Sequence, residues 1–232
     1  MKNQSEWKAW LALACYSAIV GGLLIGSIAE AIILLGMRMD YMNLPFPFAL
    51  ISLPVNEAII LGITLLFARY KRASLKKLGL KKPSLRILAI VPVVAVLLFW
   101  LAIHLSIDEE IIFGPDPMAE LVERSVMPRD SFQLVAMIAI SLVMVGPCEE
   151  LAFRGFIQKG FENSLGNMKG LLLSSVLFGL LHGLNSLYSI IPVFAISLVL
   201  GYVWQRIDRN TIALALMHGI YDSIALAVAY FA

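Results

Sequence analysis

The stretch Ser131–Arg154, SFQLVAMIAISLVMVGPCEELAFR, decides how the rest of the chain is read. Ser131 to Pro147 carries no charge, and a helix through it is long and apolar enough to enter a bilayer. Glu149, Glu150 and Arg154 follow directly. Charge at membrane depth costs at least ~2.5–3.5 kcal/mol per group, so it persists where it faces a bundle interior or does chemistry. On a helix, Glu150 and Arg154 share a face and pair, with the acid on the favourable N-terminal side. Glu149 is turned by about 100° from Glu150. The economical assignment is that Arg154 holds Glu150 while Glu149 faces a cavity. Gly146-Pro147 should bend the helix just upstream, because proline removes one backbone bond and crowds the preceding turn.

Composition widens this reading to the whole chain. Of the 232 residues 60% are hydrophobic, and the mean hydropathy is +0.86. Only 15% are charged, against roughly 25% in soluble domains. The expectation is an all-α, polytopic transmembrane bundle forming a single domain over residues 1–232. Cys15 and Cys148 both lie in apolar runs, which argues against a disulfide framework.

Apolar runs predict about seven spans: Trp10 to Leu35, Ala49 to Phe67, Ile87 to Ile107, Ser131 past Arg154 to Phe161, Leu171 to Leu187, Ile190 to Trp204, and Ile212 to Phe231. The first is too long for the ~7–15-residue core of a signal peptide and reads as uncleaved. Leu44–Pro47 reads as a proline-rich turn, and Asp130 with Ser131 as the N-cap of the fourth helix. Residues 1–107 then form the N-terminal spans with a basic loop, and 131–232 a four-helix catalytic core.

Charge orients the bundle. Arg69 to Arg86 is rich in Lys and Arg and has no acid, so it belongs on the cytoplasmic side, contacting lipid headgroups. Nothing else supports nucleic acid as a partner. Asp108 to Asp130 is acid-rich and suits the opposite side, with a short amphipathic helix expected from Pro117 to Val122. Lys159, Lys169, Arg206 and Arg209 fall with the first group. The N-terminus is therefore expected in the cytoplasm, and the chain in a bacterial cytoplasmic membrane.

Two histidines complete the polar set. His182 follows Phe178 by four residues, with Gly179 and Gly183 opening a small-residue face. His218 precedes Asp222 by four, so that carboxylate can orient the imidazole. Asn185 lies one turn past His182, and His104, near an interface, is given no role. At ~1.5 Å per residue, Glu149 is roughly 15 Å before Lys159, His182 roughly 20 Å after Lys169 and His218 roughly 14 Å after Arg209. They reach a similar depth, and polar groups in lipid converge on one another or on water.

One acid and two imidazoles facing a wet cavity suit hydrolysis. In a metal version, His182, His218 and Glu149 would hold a divalent ion such as zinc, with water in its open position. In a metal-free version, Glu149 takes the proton from water, assisted by His182, while His218 and Asp222 stabilise the oxyanion. Spacing does not choose between them. The chain contains no His-Glu-x-x-His and no Gly-x-Ser-x-Gly, and Tyr221-Asp222 lacks a Gly-x-Gly-Asp partner. Cys148 reads as a packing residue and not a nucleophile.

Glu149-Glu150-x-x-x-Arg154, Phe178-x-x-x-His182 and His218-x-x-x-Asp222 resemble, in order and spacing, the three motifs of the CPBP family. These are the CAAX-protease and bacteriocin-processing (Abi) intramembrane endopeptidases. The resemblance runs from about Val143 to Ser223, and Asp222 stands where the family more often has Asn. It implies an intramembrane glutamate or metallo-endopeptidase. Glu149 would be the base, His182 and His218 its partners, Glu150, Arg154 and Asp222 the supporting groups, and a membrane-associated peptide or protein near the cytoplasmic face the substrate. The alternative is a non-catalytic bacteriocin-immunity or adaptor protein built on the same polar cluster. Glu30 and Glu57, in the first two spans, prompt a third class, an ion or metal transporter.

Overall fold

The computed structural model describes residues 6–39, 46–118 and 125–232. Seven long helices follow one another: α1 (Ala9–Gly36), α2 (Phe46–Tyr70), α3 (Leu85–Phe113), α4 (Ser131–Leu165), α5 (Asn167–His182), α6 (Ile190–Arg206) and α7 (Thr211–Phe231). No strand occurs among the described residues. Three starts carry the side-chain caps that their sequences offer. Ser84, Asp130 and Asn210 accept from the backbone N–H of Ile87, Gln133 and Ala213.

Six of the seven, all but α5, are long and apolar enough to cross a membrane. The expected fifth span, Leu171 to Leu187, instead starts at Asn167 and stops at His182, 16 residues in all. A one-residue link, Gly166 at φ 84°, joins it to α4. The N–H groups of Leu184 and Asn185 turn back onto Leu181 and His182, and this closes the helix early. Gly183, Asn185 and Ser186 break both the apolar run and the helix before the 3-10 turn Leu187–Ser189. Phe46 and Pro47, expected in a turn, lie in the first turn of α2, where proline is tolerated. Residues 40–45 lie outside the described part. So does most of the expected Pro117–Val122 helix, of which only the turn at Pro117 and Met118 is described.

The bend expected at Gly146-Pro147 takes the form of a wide turn. Ser141–Val145 is π-helical, with the Gly146 N–H bonding Ser141 O five residues back. Pro147, which has no N–H to give, follows in the short α-helical piece Gly146–Glu150. A second π-helical stretch, Leu151–Gln158, is buried at every position. Such widened turns are a recognised response to an interrupted i→i−4 ladder.

Two glycines let α7 lie against α4 backbone to backbone. A Cβ on Gly146 would sit 2.5 Å from Ala215 O, and one on Gly219 would sit 2.8 Å from Ser141 O. Apolar cores flank this contact. Trp7, Phe153, Phe156 and Phe178 centre one, among α1, α2, α4 and α5. Leu98, Leu200, Trp204 and Met217 centre the other, among α3, α6 and α7.

The basic segments collect at one end of the bundle. Ala9 N donates to Ser164 Oγ at 2.9 Å, and Arg209 pairs with Glu162 at 3.0 Å. Lys81 pairs with Asp208, and Lys159 donates to Lys77 O. The loop before α3 closes this end, because Thr211 Oγ1 donates to Leu78 O at 2.8 Å and a Cβ on Gly155 would lie 2.8 Å from that same carbonyl.

Candidate active site

Glu149 and Glu150 occupy the short α-helical piece between the two wide turns of α4, and both are buried. Arg154 is fully buried and donates from Nη1 to Glu150 Oε1 at 2.8 Å, the pair that four-residue spacing predicts. Its Nη2 donates to Ser197 O at 3.1 Å and Ser197 Oγ at 2.9 Å on α6. The Phe178 ring covers the guanidinium, its centroid 4.8 Å from Cζ. The guanidinium therefore pins α4 to α5 and α6.

Glu150 Oε1 also lies 2.8 Å from His218 Nδ1 on α7. A carboxylate only accepts, so Nδ1 carries the proton and donates, and Nε2 points away. Asp222 was expected to orient this ring. It lies 3.6 Å from Nε2, beyond hydrogen-bond length, so Glu150 holds the imidazole instead. The physical reason is the close α4–α7 approach at Gly146 and Gly219, which brings an acid of the neighbouring helix to His218.

His182, at the last turn of α5, is oriented in a parallel way. Its Nδ1 lies 3.0 Å from Phe178 O, a carbonyl that can only accept. Its Nε2 reaches within 3.8 Å of Glu149 Oε1, and His218 Nε2 lies 3.7 Å from Glu149 Oε2. Glu149 thus stands between the two imidazoles, and its Oε2 has no hydrogen-bond partner in the protein. The His182 side chain is 26% exposed, whereas that of Glu149 is 8% exposed, so the cluster opens on the His182 side.

The six residues singled out by sequence (Glu149, Glu150, Arg154, His182, His218 and Asp222) therefore come together. Asn185 does not join them: its backbone N–H bonds His182 O and it lies exposed in the following turn. His104 stacks on Trp100, and Cys148 is a free, buried thiol. Among the described residues, no group of three or more His, Cys, Asp or Glu side chains has the geometry to hold a metal ion.

Two residues escaped the motif reading. Ser197 was visible only as a hydroxyl within the apolar Ile190 to Trp204 run. Glu57 of α2 is buried with Oε2 unpartnered, within electrostatic reach of Glu149, His218 and Asp222. Its signal was a carboxylate mid-span, but nothing in the sequence said which helices α2 would face.

Residues 131–224, from the start of α4 through two thirds of α7, match the family described as Rce1-like type II CAAX prenyl endopeptidases. That agrees with the CPBP motifs and supports an intramembrane endopeptidase at the level of the family. With six apolar helices, the chain is an integral membrane protein. No curated protein and no solved structure matches it.

Proposed function

We propose, starting from a catalytic half that matches an Rce1-like endopeptidase domain, that this chain hydrolyses a peptide bond of a membrane-associated peptide or protein, with Glu149 as the base. One observation carries the reading: Glu149 is held 3.8 and 3.7 Å from the Nε2 atoms of His182 and His218, with one carboxylate oxygen unpartnered. A water beside that oxygen gives its proton to Glu149 as its own oxygen attacks the scissile carbonyl. His218, as imidazolium, donates from Nε2 to the developing oxyanion, and His182 holds the water on the open side. Collapse of the tetrahedral adduct breaks the C–N bond, and Glu149 returns its proton to the leaving amine.

Glu150 and Arg154 touch no substrate in this scheme. They position His218 and screen the buried acids. Clustering of the basic segments at one end supports a cytoplasmic assignment for that end and for the N-terminal segment packed against it. His218 lies seven residues, roughly 10 Å, inside that end, so cleavage takes place in the cytoplasmic half of the bilayer.

The test is Glu149→Gln, which keeps the shape and burial. Against a peptide library in detergent it should lower kcat by about 10³-fold with an unchanged unfolding temperature. Turnover at the unsubstituted rate would sink the assignment of Glu149 as the base; no turnover by the unsubstituted chain, with the cellular phenotype kept in Glu149→Gln, would favour the adaptor class.

A further inference from the structure

We propose that the link between α2 and α3 is a docking surface for anionic phospholipid headgroups, and that headgroups held there clamp α4 to α7. The proposal stands apart from the endopeptidase reading, because it needs only the membrane spans.

The link, residues 71–84, is a strap. α2 packs in the first apolar core and α3 in the second, so the chain between them crosses the end of the bundle. Its middle is fastened to both helices that carry Glu149, Glu150 and His218. On the α7 side, Leu78 O accepts from Thr211 Oγ1 at 2.8 Å and Gly79 O from Thr211 N at 3.0 Å. Gly79, at φ 82°, has no room for a side chain, since a Cβ there would sit 2.2 Å from Thr211 Oγ1. On the α4 side, Lys159 donates to Lys77 O, and a Cβ on Gly155 would lie 2.8 Å from Leu78 O. Leu78 itself is buried. Bonds from Ala73 N to Ala68 O at 2.9 Å and from Leu80 N to Leu75 O at 3.0 Å fold the strap on itself. The surface it presents is therefore built.

Both ends of the strap pair exposed charge with exposed apolar surface. Arg69, Tyr70 and Arg72 are exposed where α2 ends, and Lys82, Leu85 and Arg86 where α3 begins, with Leu75 and Lys76 between them. Residues 69–86 hold eight Lys or Arg and no acid. Lys81 is paired with Asp208, and among the described residues Arg69, Arg72, Lys82 and Arg86 have no acidic partner. Tyr70 and Leu85 are the terminal residues of two membrane spans, 72% and 84% exposed, so they sit at headgroup depth. There a ring or an isobutyl group enters the acyl boundary while the cations beside it meet phosphate. Charge alone would suit any polyanion; the exposed Tyr70, Leu75 and Leu85 select a bilayer surface. Choline balances the phosphate of a neutral bilayer, whereas an anionic one leaves net negative charge within about a Debye length, roughly 8 Å, of these side chains.

The test uses the full chain in nanodiscs of phosphatidylcholine, alone or with roughly one third phosphatidylglycerol. The anionic discs should raise the unfolding temperature by about 3 °C. They should also slow deuterium exchange about fivefold at the Thr211 amide, which is bonded to Gly79 O. Changing Arg69, Arg72, Lys82 and Arg86 together to Gln should remove both effects. Lys8→Gln with Lys169→Gln, exposed cations outside the strap, should keep them. Equal responses in the two lipids, effects that persist in the fourfold variant, or effects lost in the control variant overturn the proposal. So do effects reproduced in phosphatidylcholine discs by inorganic phosphate at matched ionic strength, which would leave a free-anion site and no docking to the bilayer. If the fourfold variant does not fold, Arg69→Gln with Arg72→Gln and Lys82→Gln with Arg86→Gln must each remove about half of the temperature shift, and a full shift in either is equally fatal. A temperature shift with unchanged exchange at Thr211 rejects the clamp. Neither readout needs turnover, so failure here leaves the endopeptidase reading as it stands, and loss of that reading leaves this surface.

Discussion

The first three membrane helices and the last three differ in what they bury. The apolar windows of α1, α2 and α3 are 11%, 17% and 17% buried, against 28%, 33% and 33% for α4, α6 and α7. Ile25, Ile28 and Ile32 of α1 stand exposed where lipid would cover them, whereas every residue of Leu151–Gln158 is enclosed by protein. Close packing is needed where charge is buried, since each ionised group inside a membrane must find a partner. The N-terminal helices are mainly a sheath around that polar core. They enter it at several points: Trp7, stacked on Phe156 with ring centroids 4.6 Å apart, Tyr16 and Phe67, edge-on to Phe153 and Phe156, and Glu57.

The contrast breaks most visibly at Arg154. Arg154→Met strips Glu150 of its guanidinium and leaves His218 as its one donor, which should cost about 3–5 kcal/mol, read as a lower unfolding temperature in detergent together with lost activity. A stable, active variant would mean that the core does not depend on this ion pair. A matched pair then compares the halves directly. Phe156→Ala should cost about 3–5 kcal/mol, because it empties an enclosed site. Ile28→Ala, facing lipid, should stay within about 0.5 kcal/mol. Similar losses for both would erase the distinction.

Trp7→Phe keeps most of the ring but loses the Nε1–H donated to Phe156 O at 2.7 Å. It should cost about 1–2 kcal/mol, reporting how firmly the sheath is fastened. Glu57→Gln is expected to change kcat about tenfold at an unaltered unfolding temperature, because the field at Glu149 changes while the packing does not. No kinetic change would make the N-terminal half sheath alone. The smallest effect is expected from a chelator: activity after 1,10-phenanthroline should stay within about twofold. A loss restored by zinc would replace the metal-free scheme with one in which His182, His218 and Glu149 ligate an ion.

Much of the site was legible because helical geometry is local. The Glu150–Arg154 pair follows from their spacing, and the meeting of Glu149, His182 and His218 follows from shared depth and the cost of isolated charge in lipid. What stayed hidden depends on how helices face one another. Asp222 looked like the partner of His218, yet Glu150 is closer, because Gly146 and Gly219 remove the spacers between α4 and α7. The early end of α5 was legible but overlooked: Gly183, Asn185 and Ser186 interrupt the apolar run directly after His182.

A π turn accommodates one residue more than an α turn, so Leu151–Gln158 stores slack in the backbone at the centre of the molecule. Loss of a single residue there can relax the ladder to ordinary α geometry with both flanks still docked. The same loss inside α6 would swing Ser197 about 100° away from Arg154. Insertions and deletions that lineages of this chain have survived should therefore gather in α4, the helix where charge is most tightly packed.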